Sequence, residues 1–536
     1  MTIRAMLETV KNLSAKAAWP ARSQAGERGN SRWPDQLAAI DMGSNSFRLE
    51  IAHVIDGKYR RVEYLKETVR LGAGLDAQGM LSEEAVLRGL TCLARFADRL
   101  EGYEGWQIRA VATQTLREAR NRDAFLLRAQ AALGFPIEVI SGREEARLIY
   151  AGVARLQPSN QTRLVIDIGG RSTEMILGKA RKPLRAESFQ IGSVSLSMKY
   201  FGDGRFTEAA FRAAQVAAGA ELEEALEPFA ARHWKEAMGS SGTMGAVSQV
   251  LAANQITDGR VTPEALRWLM DQCLRAGRVD KLAVAGIKED RRAVIAGGLS
   301  ILYTVATHFG IDNLMPARGA LRQGVVFDLD ERLNANAEQS GNKNDRQSDS
   351  AKDIRDASIR DLQRRFMVDL PQSNRVAQVA QALHELALPT AARETQRELQ
   401  WACAVHEIGM MVSHHDHHRH SAYMLANVDA AGFSQSQQRR LGDMVLAQRG
   451  GLRKVESALA DEDFAWQVLC LRLATIKCHA RGEVSHKALA LKRDWATATL
   501  SFSAKWAESH PRTLYLLKEE AAAWERSGSL KLVLQG

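Results

Sequence analysis

The chain has no apolar run of the roughly 18 residues that a membrane-spanning helix needs, so it is not read as an integral membrane protein. Cysteine is scarce. The five residues at positions 92, 273, 403, 470 and 478 are odd in number, scattered and never spaced Cys-x-x-Cys, which excludes a disulfide framework and suits reduced thiols in a cytoplasm. The first 36 residues lack the apolar core of a secretory signal. They hold more Lys and Arg than acid, together with Ser, Gly and Pro, and read as a mobile, disordered basic extension outside the fold.

What remains is ample. A chain of 536 residues is too long for one core and implies about two to four domains. Its composition, 45% hydrophobic and 25% charged, is that of an ordinary globular protein. The formal net charge of +9 bears on solubility and partners rather than fold. It favours polyanions, and nucleic acid, an acidic membrane surface and phosphate-rich metabolites all qualify.

From Leu37 to about residue 333, short apolar strands alternate with longer helical periods. Examples are a strand at 108–113, a helix at 115–133, a strand at 136–140 and a helix from Gly142. Such alternation argues for α/β layers. Residues 334–352 carry almost no large apolar side chains and read as a linker. Residues 353–490 read as helical, and 491–536 as a small α+β module: a strand in WATATLSF, a helix in PRTLYLLKEEAAAWER and a strand in SLKLVL.

One device occurs twice. AAIDMGSNSFR (38–48) and LVIDIGGRSTEMIL (164–177) align Asp41 with Asp167, Gly43 with Gly169 and Ser46 with Ser172. Each reads as a strand ending in a carboxylate, a sharp glycine turn and a return strand. The glycine permits positive φ and a close approach of backbone N–H groups to a ligand. Successive N–H groups form an anion nest, to which the hydroxyls of Ser44, Ser46, Ser172 and Thr173 add donors. An aspartate beside a phosphate requires a cation or an attacking water between them, so the turns suit a phosphate with a divalent metal. A third loop, GSSGTMGAV (239–247), opens a helix whose N-terminus can bind phosphate.

In this order the three loops resemble the phosphate loops of the actin-like ATPase and sugar-kinase superfamily. With ATQTLREA (112–119), ISGREEARLIYAGV (140–153), ALRQGVVFDL (320–329) and HEIG…HRHSAYMLAN (406–427), the chain most resembles the exopolyphosphatase and guanosine-pentaphosphate phosphatase family. The resemblance covers roughly residues 37–530. It implies a multidomain protein: two actin-like (ribonuclease H-like) α/β lobes, 37–155 and 156–333, then an all-α HD-like domain and the small α+β module. It implies hydrolysis of the terminal phosphate of inorganic polyphosphate, with the 5′-phosphate of guanosine pentaphosphate (pppGpp) as the alternative. An actin-like ATP-binding kinase or regulator is the alternative of another class. It further implies Mg²⁺, a homodimer in the cytoplasm and no specific nucleic acid partner. Peripheral membrane association stays open.

The site residues follow from the same motifs. Glu145 is the implied catalytic glutamate. Asp167 and Glu174, with Asp41, are the implied metal ligands. Ser44, Asn45, Arg117, Gly169, Gly170, Ser172, Ser241, Gly242 and Thr243 are the implied phosphate contacts. Locally, Ser141 followed by Glu144 reads as a capping box, which leaves Glu145 free to project from the helix start. Arg117 follows a strand at the carboxyl edge of the sheet, where a guanidinium can grip a phosphoryl group. Arg171 departs from the family pattern, which has Gly or Ala there; it either reaches the substrate or points to solvent. The histidines at 406, 414, 415, 417, 418 and 420 invite a metal reading. However, His406-Glu407 stands where an HD phosphohydrolase needs His-Asp, and the segment reads as a structural or polyanion-contacting element.

Overall fold

The computed structural model describes residues 33, 35–55, 57–338, 353–482 and 489–536. The basic extension, apart from its last few residues, lies outside the described residues, as does the linker from 339 on. Residues 334–338 are not linker but the last turn of a helix. The chain forms two compact units that divide between residues 351 and 352.

The first unit contains one topology twice. Strands β1 (Gln36–Met42), β2 (Phe47–Ile55), β3 (Lys58–Glu67), β4 (Ile108–Ala112) and β5 (Ile137–Val139) form a sheet in the order β3-β2-β1-β4-β5. Strands β6 (Thr162–Ile168), β7 (Thr173–Lys179), β8 (Lys182–Phe189), β9 (Glu236–Ser240) and β10 (Met315–Pro316) form a second, in the order β10-β9-β6-β7-β8. In each, the first strand pairs antiparallel with the second and parallel with the fourth. These are two actin-like α/β lobes. β1 and β6 are buried almost throughout, as central strands covered on both faces are. The outer strand β3 (KYRRVEYLKE) is largely exposed and rich in Lys and Arg, the usual protection of a sheet edge.

Helices α1 (Glu83–Arg99), α2 (Gln114–Glu118), α3 (Arg122–Leu133) and α4 (Gly142–Leu156) belong to the first lobe. The single helix expected at 115–133 is broken into α2 and α3. Ala119 is extended, Arg120 N–H bonds to the Gly79 carbonyl at 2.8 Å, and Asn121 Oδ1 accepts from Leu81 N–H at 2.9 Å. A neighbouring loop thus claims the backbone where the periodicity would have run on.

The second lobe carries α5 (Ser193–Tyr200), α6 (Glu208–Leu222), α7 (Ser241–Ala253), α8 (Pro263–Ala276), α9 (Glu289–Arg292), α10 (Ile295–His308) and α11 (Leu321–Glu338). Helices α4 and α11 share a core with residues of both sheets, including Val111, Ile149, Val165, Ile176 and Val325. They run antiparallel and very close. A Cβ on Gly324 would collide with the Leu148 carbonyl, and one on Gly152 with that of Ala320. Glycine stands at both positions because two backbones meet there.

The second unit packs six main helices: Ile354–Arg365, Leu370–Ala387, Arg393–Val405, His417–Asn427, Gln435–Ala447 and Glu462–Lys477. Its three-stranded sheet contains a strand, Ala490–Asp494, that the sequence reading missed; it pairs with Thr497–Ser501, which pairs with Lys531–Gln535. This sheet and the helix Pro511–Ser527 do not form a core of their own. Leu491, Leu500, Leu517 and Trp524 join the same cluster as Val379, Trp401 and Phe464 of the helices.

Candidate active site

Both repeated turns are built alike. Asp41 and Asp167 each occupy the penultimate position of a first strand. Across the hairpins Asp41 pairs with Arg48 and Asp167 with Glu174, and directly opposed residues share a face of the sheet. The glycines differ from expectation. Gly43, Gly169 and Gly170 are not in the positive-φ region. They are small for lack of room: a Cβ on Gly43 would lie 3.3 Å from the Ser46 carbonyl, and one on Gly169 lie 3.2 Å from that of Ser172. A Cβ on Gly170 would lie 3.0 Å from Ser44 Cβ, so the two turns face each other at close range. Positive φ appears instead at Ser241, at +76°, a strained conformation that opens α7.

A cavity of about 490 Å³ lies between the turns. Asp41, Ser44, Asn45, Glu145, Asp167, Gly169, Gly170, Ser172, Ser241, Gly242 and Thr243 of the expected residues line it; Arg117 and Glu174 do not. The hydroxyls of Ser241 and Thr243 donate to the Ile168 carbonyl, at 2.7 and 2.9 Å. Those side chains brace the loop, leaving its backbone N–H groups as what it offers an anion. Ser44 Oγ accepts from Thr115 Oγ1 at 2.8 Å and keeps its own proton to donate. Asn45 Nδ2 is buried without a hydrogen-bond partner. A buried donor left unsatisfied is costly and calls for an acceptor.

The carboxylates gather at one end. Glu145, at the start of α4, accepts from Arg117 Nη1 at 2.8 Å. Burial pushes its pKa up to about 7, against Arg117 and with help from the charges of Asp167 and Asp41. Burial likewise raises Asp167 to about 6, and burial with the charges of Glu145 and Asp167 holds Glu174 well above the usual range. Asp41 is different: Arg48 Nη1 lies 3.1 Å from it and Arg322 Nη1 3.7 Å.

Arg117 is held on all three of its guanidinium nitrogens. It donates to Gln114 Oε1, to the Ile140 carbonyl and to Glu145, so it holds the glutamate instead of reaching into the cavity. Arg171 donates to Glu118 Oε2 at 2.6 and 2.9 Å and ties the second turn to α2, part-exposed and outside the cavity lining. The capping box is half formed. Ser141 Oγ accepts from Glu144 N–H at 3.2 Å, but the Glu144 carboxylate turns away to Arg147.

Sequence reasoning missed the cationic wall. Arg48, Lys66, Lys288, Arg291, Arg318 and Arg322 line the same cavity. Arg48 and Arg322 lie within quoted motifs, DMGSNSFR and ALRQG; the others follow no local pattern and converge only through the fold. The one aromatic ring in the lining is Tyr64, and the guanidinium groups of Arg322 and Arg61 already lie 5.1 and 5.6 Å from its centroid.

Magnesium fits this donor set in one way. Among the described residues, no group of three or more His, Cys, Asp or Glu is arranged to hold a metal. Mg²⁺ needs no such cage, because it takes one or two carboxylates and completes its shell with water and substrate phosphates. Asp167, with Glu174 opposite it, offers hard oxygen donors that no arginine or lysine among the described residues pairs with directly. Asp41, already paired to Arg48, is the weakest of the three expected ligands.

In the second unit the histidines form no metal group among the described residues. His406 is buried with Nδ1 at 2.7 Å from the Cys403 carbonyl. His417 and His418 are buried, and desolvation lowers both to about 4, so they are neutral. His414 and His415 are exposed. Glu407, in the position of the HD aspartate, accepts from Arg481 at 2.6 Å. No helix among the described residues is long and apolar enough to cross a membrane, and all five cysteines are buried and unpaired.

Comparison with known proteins yields a consistent set. The profile of the Ppx/GppA phosphatase family matches residues 50–333, and that of Ppx/GppA phosphatase domain III matches residues 354–521. An exopolyphosphatase from Cytophaga hutchinsonii is 24% identical, covers 55% of this chain and 98% of its own, and superposes with a TM-score of 0.51. An exopolyphosphatase-like protein is 25% identical over 56% of this chain and 98% of its own, with a TM-score of 0.51. The Aquifex aeolicus member of the Ppx/GppA family is 26% identical over 57% of this chain and 99% of its own, with a TM-score of 0.47.

Proposed function

Because the chain belongs to the Ppx/GppA phosphatase family, we propose that it is an exopolyphosphatase, releasing orthophosphate from the end of inorganic polyphosphate. The observation that carries this reading is the cavity wall. Beyond the turns it is cationic, with Arg48, Lys66, Lys288, Arg291, Arg318 and Arg322, and its one aromatic ring already has guanidinium groups beside it. A concentration of cations suits a chain of phosphates, although Arg48, Lys66 and Arg322 also pair with Asp41, Asp290 and Glu50. A nucleotide would need an apolar or aromatic seat for its base.

In the mechanism, the facing turns and the N-terminus of α7 hold the terminal phosphoryl group through backbone N–H groups, with Ser44 and the unpartnered Asn45 amide as side-chain donors. Glu145 orients the attacking water and takes its proton. A base poised near neutrality is both mostly deprotonated and strong enough to accept that proton. Arg117 holds the carboxylate in place. Mg²⁺ at Asp167 and Glu174 would supply charge neutralisation for the transferred group. The leaving chain end is stabilised by the cationic wall. A homodimer and a cytoplasmic location belong to the same proposal.

The test is orthophosphate release from long-chain polyphosphate, tripolyphosphate, ATP and pppGpp, side by side. The expected order places long-chain polyphosphate first in kcat/KM; pppGpp first by tenfold or more would overturn the assignment within the family.

A further inference from the structure

Next to Glu145 lies a buried ion set whose presence stability alone does not explain. Arg147 donates to both oxygens of Glu144, at 2.7 and 2.8 Å, and with the same fork to Asp328 Oδ1 of α11 at 2.5 Å. Asp328 Oδ2 also accepts from Arg109 and Arg332, each at 2.6 Å, and Arg109 reaches Glu138 at 3.1 Å. The side chains of Glu144, Arg109 and Asp328 are 0%, 2% and 3% exposed. Charges balance, Glu138, Glu144 and Asp328 against Arg109, Arg147 and Arg332. Burying such a set gains little over apolar packing of similar volume, because desolvation offsets the attraction. Its geometry, however, is specific.

That geometry bears on Glu145. Adjacent residues on a helix point about 100° apart, so fixing the direction of Glu144 fixes that of Glu145. The glycine contacts at Gly152 and Gly324 set the distance between α4 and α11. They act at Leu148 and Gly152, further along α4, and the ion set adds a fixed polar tie at the first turn itself. Helix α11 also carries Arg322 and Gln323 of the cavity wall. The base is thereby registered against the element that helps hold the substrate.

Resting on the reading of Glu145 as the base, we propose that Glu144, Arg147 and Asp328 are positioning residues, which clamp the first turn of α4 to α11 and so aim Glu145 at the attacking water. Arginine is required at 147 because one planar fork spans two carboxylates; an ammonium keeps the charge but not the span.

The experiment measures kcat and KM for long-chain polyphosphate on the full chain, per folded molecule, beside melting temperature. Arg147→Lys is expected to lower kcat by about tenfold or more, as small misplacements of a base do, with KM within about twofold of the parent. An unchanged kcat, whatever the melting temperature, shows that the set only balances charge and overturns the proposal, as does a loss confined to KM. If Arg147→Lys does not fold, Glu144→Gln/Arg147→Gln, which removes one charge of each sign, is read in the same way. Glu145→Gln separates the two readings. Full activity there sinks the base assignment and the positioning role with it; an inactive Glu145→Gln beside an unimpaired Arg147→Lys sinks only the positioning role.

Discussion

Replacing Glu145 by Gln tests the mechanism and the electrostatics together. Gln keeps the length of the side chain and an oxygen that can accept from Arg117, but it cannot take a proton from water near neutral pH. A positioned general base contributes roughly 10²–10⁴-fold, so kcat should fall by at least ~10²-fold. Stability should move the other way. The carboxyl titrates near 4.5 when unfolded and near 7 in the fold, chiefly because burial penalises its charge. A raised folded pKa favours the native state below about pH 4.5 and loses that contribution as pH rises through about 7. The charged form therefore costs up to about 3 kcal/mol in alkaline solution. Gln escapes this cost. The melting temperature of Glu145→Gln relative to the parent should thus rise between pH 5 and pH 8, while activity stays low throughout. Orthophosphate release by a dye assay and thermal melts at both pH values suffice. A variant that retains a tenth of the parent kcat refutes the base; a melting difference independent of pH refutes the buried charge.

Other consequences are more compact. In the parent, kcat should fall below about pH 7 with unit slope as Glu145 protonates, and Arg117→Met, which removes the opposing cation, should move that limb to higher pH. A limb unmoved in Arg117→Met would show that the pair does not control the base. Chelation should stop turnover, and Asp167→Asn should raise the Mg²⁺ concentration for half-maximal rate by tenfold or more; activity indifferent to chelator would remove the metal from the mechanism. The KM for long-chain polyphosphate should climb with ionic strength more steeply than that for tripolyphosphate, because more screened contacts are involved. A fragment of residues 29–351 should fold and cleave short chains, since its hydrophobic clusters include no residue of the second unit; an unfolded fragment by circular dichroism would refute this independence.

The sequence made the fold and the repeated turns legible because both are local or repeated signals. A strand, an aspartate, a glycine and a hydroxyl recur at one spacing, and the duplication itself points to two lobes. Tertiary partners stayed hidden. Glu144 looked like a helix cap because Ser141 stands three residues before it, yet Arg147 and Arg109 compete for its carboxylate and win by burying it. Arg117 was placed correctly at the edge of its sheet, but nothing local foretold that Glu145, Gln114 and the Ile140 carbonyl would occupy its donors. The glycines were rightly singled out for a reason that proved different: space, not φ. The cationic wall draws on β2, β3, α9, α11 and the loops beside them, which only folding brings together.

The two copies of the hairpin differ in the residue that stands opposite the aspartate, and on the proposed reading that difference divides the chemistry between them. Opposite Asp41 stands Arg48, which neutralises it and leaves the first turn, with Ser44 and the unpartnered Asn45 amide, suited to receive an anion. Opposite Asp167 stands Glu174, and with Glu145 nearby these carboxyls have raised pKa values, chiefly because burial penalises their charge and further because of neighbouring carboxylates. On the proposed reading, two arginine-bearing copies would bind phosphate but leave no place for a cation. Two glutamate-bearing copies would offer two such places and repel the substrate. On that reading, one of each would set an anion site against a cation site across the facing turns. A phosphoryl group held by the first would then be presented to a cation held by the second.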